Sequence, residues 1–142
     1  MVKLQVDEIM QAYDKVRLTD EIKWVAFGIR ENPELIEVID QGTEYEDFVK
    51  LCSDDASLFG FCSFNTGDEL SVRKKFVLIS WIGENVSGLK RGKCFTHRVE
   101  VQGLHLNAQV EVPAHAKEDI KASAILARLK AAGGANYGSS ST

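Results

Sequence analysis

Cysteine and histidine are the residues of this chain best suited to metal binding or catalysis, and both types are few and widely separated. The three cysteines lie 10 and 32 residues apart and the three histidines lie 8 and 10 residues apart; they are Cys52, Cys62, Cys94, His97, His105 and His115. A zinc site needs ligands at short spacings such as Cys-x-x-Cys, and the sequence has no such pair. The spacing therefore predicts neither a metal site nor a disulfide.

An enzyme would also need an activated nucleophile or a paired acid and base. The sequence contains neither a Gly-x-Ser-x-Gly turn nor a phosphate-binding loop. We therefore expect no catalytic residues and no cofactor. The remaining chemistry is recognition of a partner by charge and shape.

Charge is distributed unevenly along the chain, although the net charge is only −4. Residues 31–69 include eleven acidic side chains and one basic side chain. Residues 73–98, the basic window, include seven basic side chains and one acidic side chain, a local balance of +6. Charged patches steer association more than totals do, so the basic window predicts an acidic partner. The chain has a net negative charge, and its basic residues are not interleaved with exposed aromatics. It therefore lacks the usual electrostatic footprint of a nucleic-acid-binding protein.

The basic window begins with Arg73, Lys74 and Lys75, directly before the apolar run 76–82. A run of this length fits a buried strand and is too short for a membrane span. The three cations are therefore expected at the solvent-facing mouth of a rigid strand, where they form a docking surface. The alternative is that they only make the edge of the strand soluble.

Length and composition indicate one compact domain. The chain has 142 residues, of which 44% are apolar and 27% are charged. It opens without an apolar signal core, and no segment approaches the roughly 20 apolar residues of a membrane-spanning helix. We expect a cytoplasmic monomer that does not insert into membranes. The domain should cover residues 1–132, and residues 133–142 should form a flexible tail because GANYGSSST is small and polar.

Helical periodicity of apolar residues occurs in three segments, 6–17, 43–52 and 120–132. Thr43 is the expected N-cap of the second helix, and Gly133 with Gly134 the expected stop of the third. Glu84-Asn85 with Ser87-Gly88 can either cap a further short helix over 87–91 or contact a partner, and we favour the cap.

Strands are predicted over four segments, 22–29, 35–39, 58–64 and 76–81. Turns are expected at Asn32-Pro33 and over 66–68, where turn residues cluster. Trp24 and Trp81 lie in strand contexts, which favour burial in the core over a role in ligand binding.

The segment 97–112 fits two interpretations. Alternating apolar residues such as Val99 and Val101 suggest a strand, whereas Thr96 as a cap with Val101 and Leu104 on one face suggests a helix. Gly103 weakens both. Periodicity leaves the choice open.

Several motifs occur in an order that resembles the coactosin branch of the ADF/cofilin homology family. They are QGTEYEDF, Asp54-Asp55 followed by LFGF, TGDELSVRKKF, WIGENVSGL and the ending GGANY. The resemblance covers residues 13–137 and is closest over 44–89. It implies an α+β fold, arranged as an α/β sandwich, with a central mixed sheet of five to six strands and helices on both faces. It also implies a long helix over about 96–107 and a strand over about 109–112.

The resemblance further implies binding to the side of actin filaments, which expose acidic patches, without the severing activity of cofilin. Lys75 falls on the central filament-binding position of the family, Arg73 belongs to the same charged loop, and Lys74 joins it. A second actin surface of the wider family lies at the start of the long helix. Lys93, His97 and Arg98 fall at that place, and Lys90 and Arg91 of the basic window are further candidate actin-binding residues.

Two alternatives remain open. Lys93, His97 and Arg98 would permit binding of actin monomers or disassembly of filaments. Independently of the family, a sheet with a basic patch is also compatible with a scaffold for another cytosolic protein.

Overall fold

The computed structural model describes residues 3–30, 34–68 and 71–140. Its strands and helices follow one another as β1 (Lys3–Leu4), α1 (Val6–Leu18), β2 (Trp24–Arg30), β3 (Leu35–Gly42), α2 (Tyr45–Leu51), β4 (Ser57–Asp68), β5 (Ser71–Ile82), α3 (Gly88–Gln102), β6 (Val110–Ala114) and α4 (Ala122–Ser140). A 3-10 turn over Lys117–Ile120 precedes α4. None of these helices, within the described ranges, is long and apolar enough to cross a bilayer.

Six strands form one mixed sheet in the order β1-β3-β2-β4-β5-β6. The two outer strands, β1 and β6, pair in parallel with β3 and β5, and the central neighbours pair antiparallel. Helices cover both faces of this sheet. The architecture confirms the α+β sandwich that the resemblance implies.

Successive side chains of a strand point to opposite faces, so the sheet divides the core in two. On one side, the α1 face, Tyr13 of α1 packs on Phe61, which stacks on Phe76 with ring centroids 5.3 Å apart. Val101 of α3 joins this same core. On the other side, the α4 face, residues of α2 and α4 pack on the alternate strand positions. Helices α1 and α3 therefore share one face, and α2 and α4 share the other.

Both tryptophans lie in the core of the α4 face, as predicted. Trp24 is 2% exposed and Trp81 is 1% exposed. Each indole nitrogen donates a hydrogen bond to a backbone carbonyl, Trp24 to Glu44 at 2.7 Å and Trp81 to Ser53 at 2.8 Å. A buried indole N–H without a partner would cost free energy, so these bonds fix the position of the rings.

The β4–β5 hairpin is longer than predicted. Strand β5 begins at Ser71, so the three cations lie within the strand and not before it, and residues 66–68 are paired strand, not a turn. The polar composition of this part suggested a loop, but the antiparallel ladder continues because it satisfies the backbone N–H and C=O groups whatever the side chains are. The predicted turn at Asn32-Pro33 lies outside the described residues.

The structure resolves the open segment as helix followed by strand. A single helix, α3, spans Gly88–Gln102, so the short helix at 87–91 and the longer one over 96–107 are one element. The predicted cap is confirmed, and among its candidate residues Ser87 is the N-cap, which accepts a hydrogen bond from the Lys90 amide at 3.3 Å. The helix ends earlier than the resemblance implies, because Gly103 is its C-cap. Two residues later His105 has a φ of 55°, which is incompatible with a right-handed helix.

Two predicted helix ends are wrong. Helix α2 is preceded by Glu44, without a side-chain cap, because β3 extends to Gly42 and leaves Thr43 outside the helix. Helix α4 continues through Gly133 and Gly134 to Ser140. A glycine inside a helix lowers helix stability by about 1 kcal/mol relative to alanine. It keeps its backbone N–H, however, so the helical hydrogen bonds can continue through it. The flexibility of residues 133–142 stays a prediction.

The three cysteines are buried as free thiols. Burial raises the pKa of the Cys52 thiol to about 12 and raises that of Cys62 well above its ordinary value. Thiols in such apolar surroundings are inert and act as small core residues.

Candidate functional site

Strand alternation divides the three cations at the start of the basic window. Arg73 and Lys75 lie two positions apart in β5 and share the α4 face, whereas Lys74 lies on the α1 face. The Lys74 ammonium donates to the Thr19 carbonyl at 2.6 Å and lies 3.5 Å from Asp20. Lys74 therefore ties β5 to the end of α1, and the triplet is not one continuous surface.

Helix α4 completes the surface around Arg73 and Lys75. A groove of about 660 Å³ is lined by these two cations, by residues 65–67 of the paired strand β4, and by Leu126 and Lys130 of α4. We call it the basic groove. Three cations line it, and no acidic residue does, among the described part of the chain. Its positive potential is therefore not neutralised by a lining carboxylate.

Lys130 and Leu126 were not predicted as site residues. They are four residues apart in a helix, which places them on one face, and that face meets the end of the hairpin. Both are exposed, Leu126 at 37%. The sequence itself shows only a leucine four residues before a lysine, and this spacing occurs in many solvated helices.

The other predicted site residues lie on α3, on the opposite side of the sheet. Lys90 and Lys93 are exposed, and Arg98 is partly buried. Arg91 donates hydrogen bonds to the carbonyls of Val86, Gly83 and Glu84 at 3.1, 3.0 and 3.2 Å. Arg91 therefore holds the loop before α3 in place. The basic window, continuous in sequence, is divided between the two faces of the molecule.

His97 is buried, with an exposure of 4%, and so does not belong to the exposed surface of α3. Its Nε2 is hydrogen-bonded to the Glu34 carboxylate at the start of β3. Since α3 and β3 are distant in sequence, this contact fixes the helix to the start of β3. Its Nδ1 has no hydrogen-bond partner within the described ranges.

The Glu34–His97 contact makes a prediction for stability against pH. The hydrogen bond from His97 lowers the pKa of Glu34 below its ordinary value of 4.5, with smaller contributions from the charges of His97 and Lys93. A depressed folded pKa gives stability that is present above 4.5 and is lost as the pH falls through the folded value. Glu34→Gln should therefore be less stable than the wild type at neutral pH, and the difference should shrink below pH 4.5.

Urea unfolding at a series of pH values measures this difference. Glu111→Gln, an exposed substitution in β6, removes the same charge and serves as the control. A difference between Glu34→Gln and the wild type that stayed constant through the acid range would contradict the prediction.

Two exposed apolar side chains add a second feature to α3. Phe95 and Val99 are four residues apart, on one side of the helix, and are 67% and 64% exposed. Exposed apolar side chains grouped on one element mark interaction sites more often than isolated ones do.

The family model described as cofilin/tropomyosin-type actin-binding protein matches residues 1–130. The chain belongs to this family. The match extends over every strand, over α1 to α3 and over the first part of α4, where it ends at residue 130.

Within the family, the chain is similar to coactosins, as the motifs indicated. Human coactosin-like protein is 40% identical over 136 residues, which are 95% of this chain and 94% of that protein. A crystal structure of human coactosin-like protein has a TM-score of 0.85 at 37% identity, covering 92% of this chain and 98% of that one. The solution structure of mouse coactosin, described as an actin filament binding protein, has a TM-score of 0.78 at 39% identity and covers 99% of each chain.

Proposed function

We propose that this chain binds the side of actin filaments through the basic groove, does not sever the filaments, and carries out no catalysis. The observation that supports the proposal best is the convergence of Arg73, Lys75 and Lys130 from two elements around Leu126. The relative at 39% identity that is described as an actin filament binding protein supports the choice of partner.

Cations on a rigid strand and helix suit an acidic filament surface. Strand pairing in the β4–β5 hairpin and the packing of α4 hold the backbone of these residues in place. Binding therefore costs little backbone conformational entropy. Each exposed ion pair contributes only about 0–1 kcal/mol, so three must act together to give useful affinity. Leu126, which lines the same groove and is exposed, can add apolar contact to a partner.

The proposal places the protein at the actin cytoskeleton of the cytoplasm, bound as a monomer. Occupation of filament sites would then influence turnover by excluding other side-binding proteins. No nucleic acid and no membrane is involved.

Cosedimentation with actin filaments tests the proposal directly. The fraction of protein that pellets should fall steeply between low and moderate salt, because exposed ion pairs are screened. Filament length, followed by fluorescence microscopy, should not change at saturating protein. Shortened filaments would overturn the proposal that the protein does not sever, and salt-independent pelleting would overturn the dominance of charge.

A second candidate function is binding of actin monomers through α3. Exposed Phe95 and Val99, with Lys90 and Lys93 on the same helix, are the observation that favours it. Labelled actin monomers titrated with the wild type and with Phe95→Ser separate the two candidates. Monomer binding that Phe95→Ser abolishes, while filament binding is retained, would establish α3 as a separate actin surface.

A further inference from the structure

Helix α3 covers its side of the sheet incompletely. On one flank a cleft of about 370 Å³ lies between α3 and the ends of β4, β5 and β6, and we call it the α3 cleft. On the other flank a second cavity of about 340 Å³ reaches β3. Cys94 and His97 line both, so the two spaces meet beneath the helix. Volumes of this size are in the range of small-molecule sites.

The lining of the α3 cleft is mostly apolar. Ile29, Phe59, Ile82 and Phe95 contribute hydrocarbon or aromatic surface, and Ser57 and Ser80 contribute hydroxyls. Natural ligand pockets combine such an apolar body with a few polar groups that fix orientation. An apolar group bound there would gain dispersion contacts with this lining.

Charge at the cleft has one sign. Arg91 and Arg98 line the α3 cleft, Lys90 and Lys93 line the neighbouring cavity, and no acidic residue lines either within the described chain. Two carboxylates contact the lining from outside, Glu34 on His97 and Glu84 near His115, and each faces a histidine, not an arginine. The cleft therefore offers an excess of cationic groups.

Arg98 is the cation best placed to bind a ligand. Arg91 already donates to three loop carbonyls, which fixes it as part of the scaffold. Arg98 lines the same cleft, is partly buried, and makes no hydrogen bond or ion pair to another residue of the described ranges. A partly buried guanidinium pairs well with a carboxylate, because its planar donors match the two oxygens.

We propose that the α3 cleft binds a small apolar carboxylate, with its hydrocarbon body between α3 and the sheet and its carboxylate on Arg98. The site is independent of the basic groove, which lies on the other face of the sheet. Buried His97 at the floor of the cleft, with Nδ1 unpartnered among described residues, would add a polar group beside the ligand.

Titration of isotope-labelled protein with decanoate, followed by amide NMR shifts in the absence of actin, tests the proposal. Saturable shifts are expected for the cleft residues Ser80, Ile82, Cys94, Arg98 and Ala114. Arg98→Gln should weaken decanoate binding about tenfold, the effect of losing one charge-assisted hydrogen bond. Arg128→Gln, an exposed arginine of α4 outside the cleft, should not change it.

Decanol has the same chain without the charge and isolates the head group. It should bind the wild type about tenfold more weakly than decanoate does, and Arg98→Gln should not alter its binding. Cys94→Leu places bulk between both cavities and should reduce binding of both ligands, with the amide spectrum showing that the variant is folded.

Three results would overturn the proposal. They are the absence of saturable shifts, decanoate shifts centred on Arg73, Lys75 and Lys130, and equal decanoate affinity of Arg98→Gln and the wild type. None of these measurements involves actin, so they stand or fall separately from the proposed filament binding.

Discussion

Lys75→Glu is expected to weaken binding to actin filaments by more than about tenfold. The change removes one favourable exposed pair and introduces a like-charge contact of similar size, about 2 kcal/mol together. Lys75 lines the basic groove from β5, and the pairing of β5 with β4 holds the backbone of Lys75 in place. The dissociation constant from cosedimentation at low salt measures the effect.

Lys130→Glu is expected to weaken filament binding by a similar factor. This variant tests whether the two elements that line the basic groove bind the filament together. Lys130 is 55 residues away from Lys75 in sequence, and only the packing of α4 brings the two together. Arg128→Glu is the matched control, because it changes the charge of the same helix equally but lies two positions, about 200°, around it. Full binding by Lys130→Glu, with loss only in Lys75→Glu, would mean that the filament contacts β5 but not the groove as a unit.

Lys74→Ala makes a second comparison within β5. Its ammonium is on the opposite face, bound to the Thr19 carbonyl, so its loss should lower stability slightly and leave filament affinity nearly unchanged. Equal losses of affinity in Lys74→Ala and in Lys75→Ala would contradict the division of the triplet between two faces.

Gly83→Ala is expected to destabilise the fold by about 2–4 kcal/mol. A Cβ at this position would lie 2.2 Å from the backbone oxygen of Asp54 and 2.4 Å from that of Ser53. Since both neighbours are backbone atoms, no rotamer change can relieve the contact. The Gly83 amide also donates to the Ala56 carbonyl at 2.8 Å, so the chain cannot simply move away without breaking that bond.

The Gly83 contact lies at a junction of three elements. Ser53 accepts from the Trp81 indole, Asp54 accepts from the Asn85 amide, and Gly83 accepts from Arg91. Separation of residues 53–54 from Gly83 would therefore loosen the start of β4, the end of β5 and the start of α3 together. A loss of this size is a large part of the 5–15 kcal/mol that stabilises a typical domain.

Gly92→Ala is the control for this substitution. Gly92 lies inside α3, and nothing is within 4 Å of the position where its Cβ would be. The change should stabilise the protein by about 0.5–1 kcal/mol, because alanine loses less backbone entropy on forming a helix. Urea unfolding of both variants measures the two effects, and equal midpoints for Gly83→Ala and the wild type would show that the junction can relax.

Local pattern predicted the interior of the elements better than their ends. The periods of α1 and of the core strands follow from burial of one face, and the buried positions of Trp24 and Trp81 were predicted from strand contexts alone. The start of β5 was not predicted, because it depends on pairing with β4 and not on the local side chains. The end of α4 was not predicted either, because Gly133 and Gly134 disfavour a helix without stopping it. For α3 the cap was predicted, but the continuation of the helix to Gln102 was left open.

Motifs and charge pattern were sufficient to predict the family, the mixed sheet between helices, and the concentration of positive charge in residues 73–98. Which of those charges share a surface depends on how the chain folds. Alternation along β5 separates Lys74 from Lys75, burial against Glu34 removes His97, and packing of α4 adds Lys130. A surface patch is formed by side chains on one face of the folded protein. Those side chains come from elements that are distant in sequence, such as β5 and α4, so the order of residues alone does not reveal which of them meet.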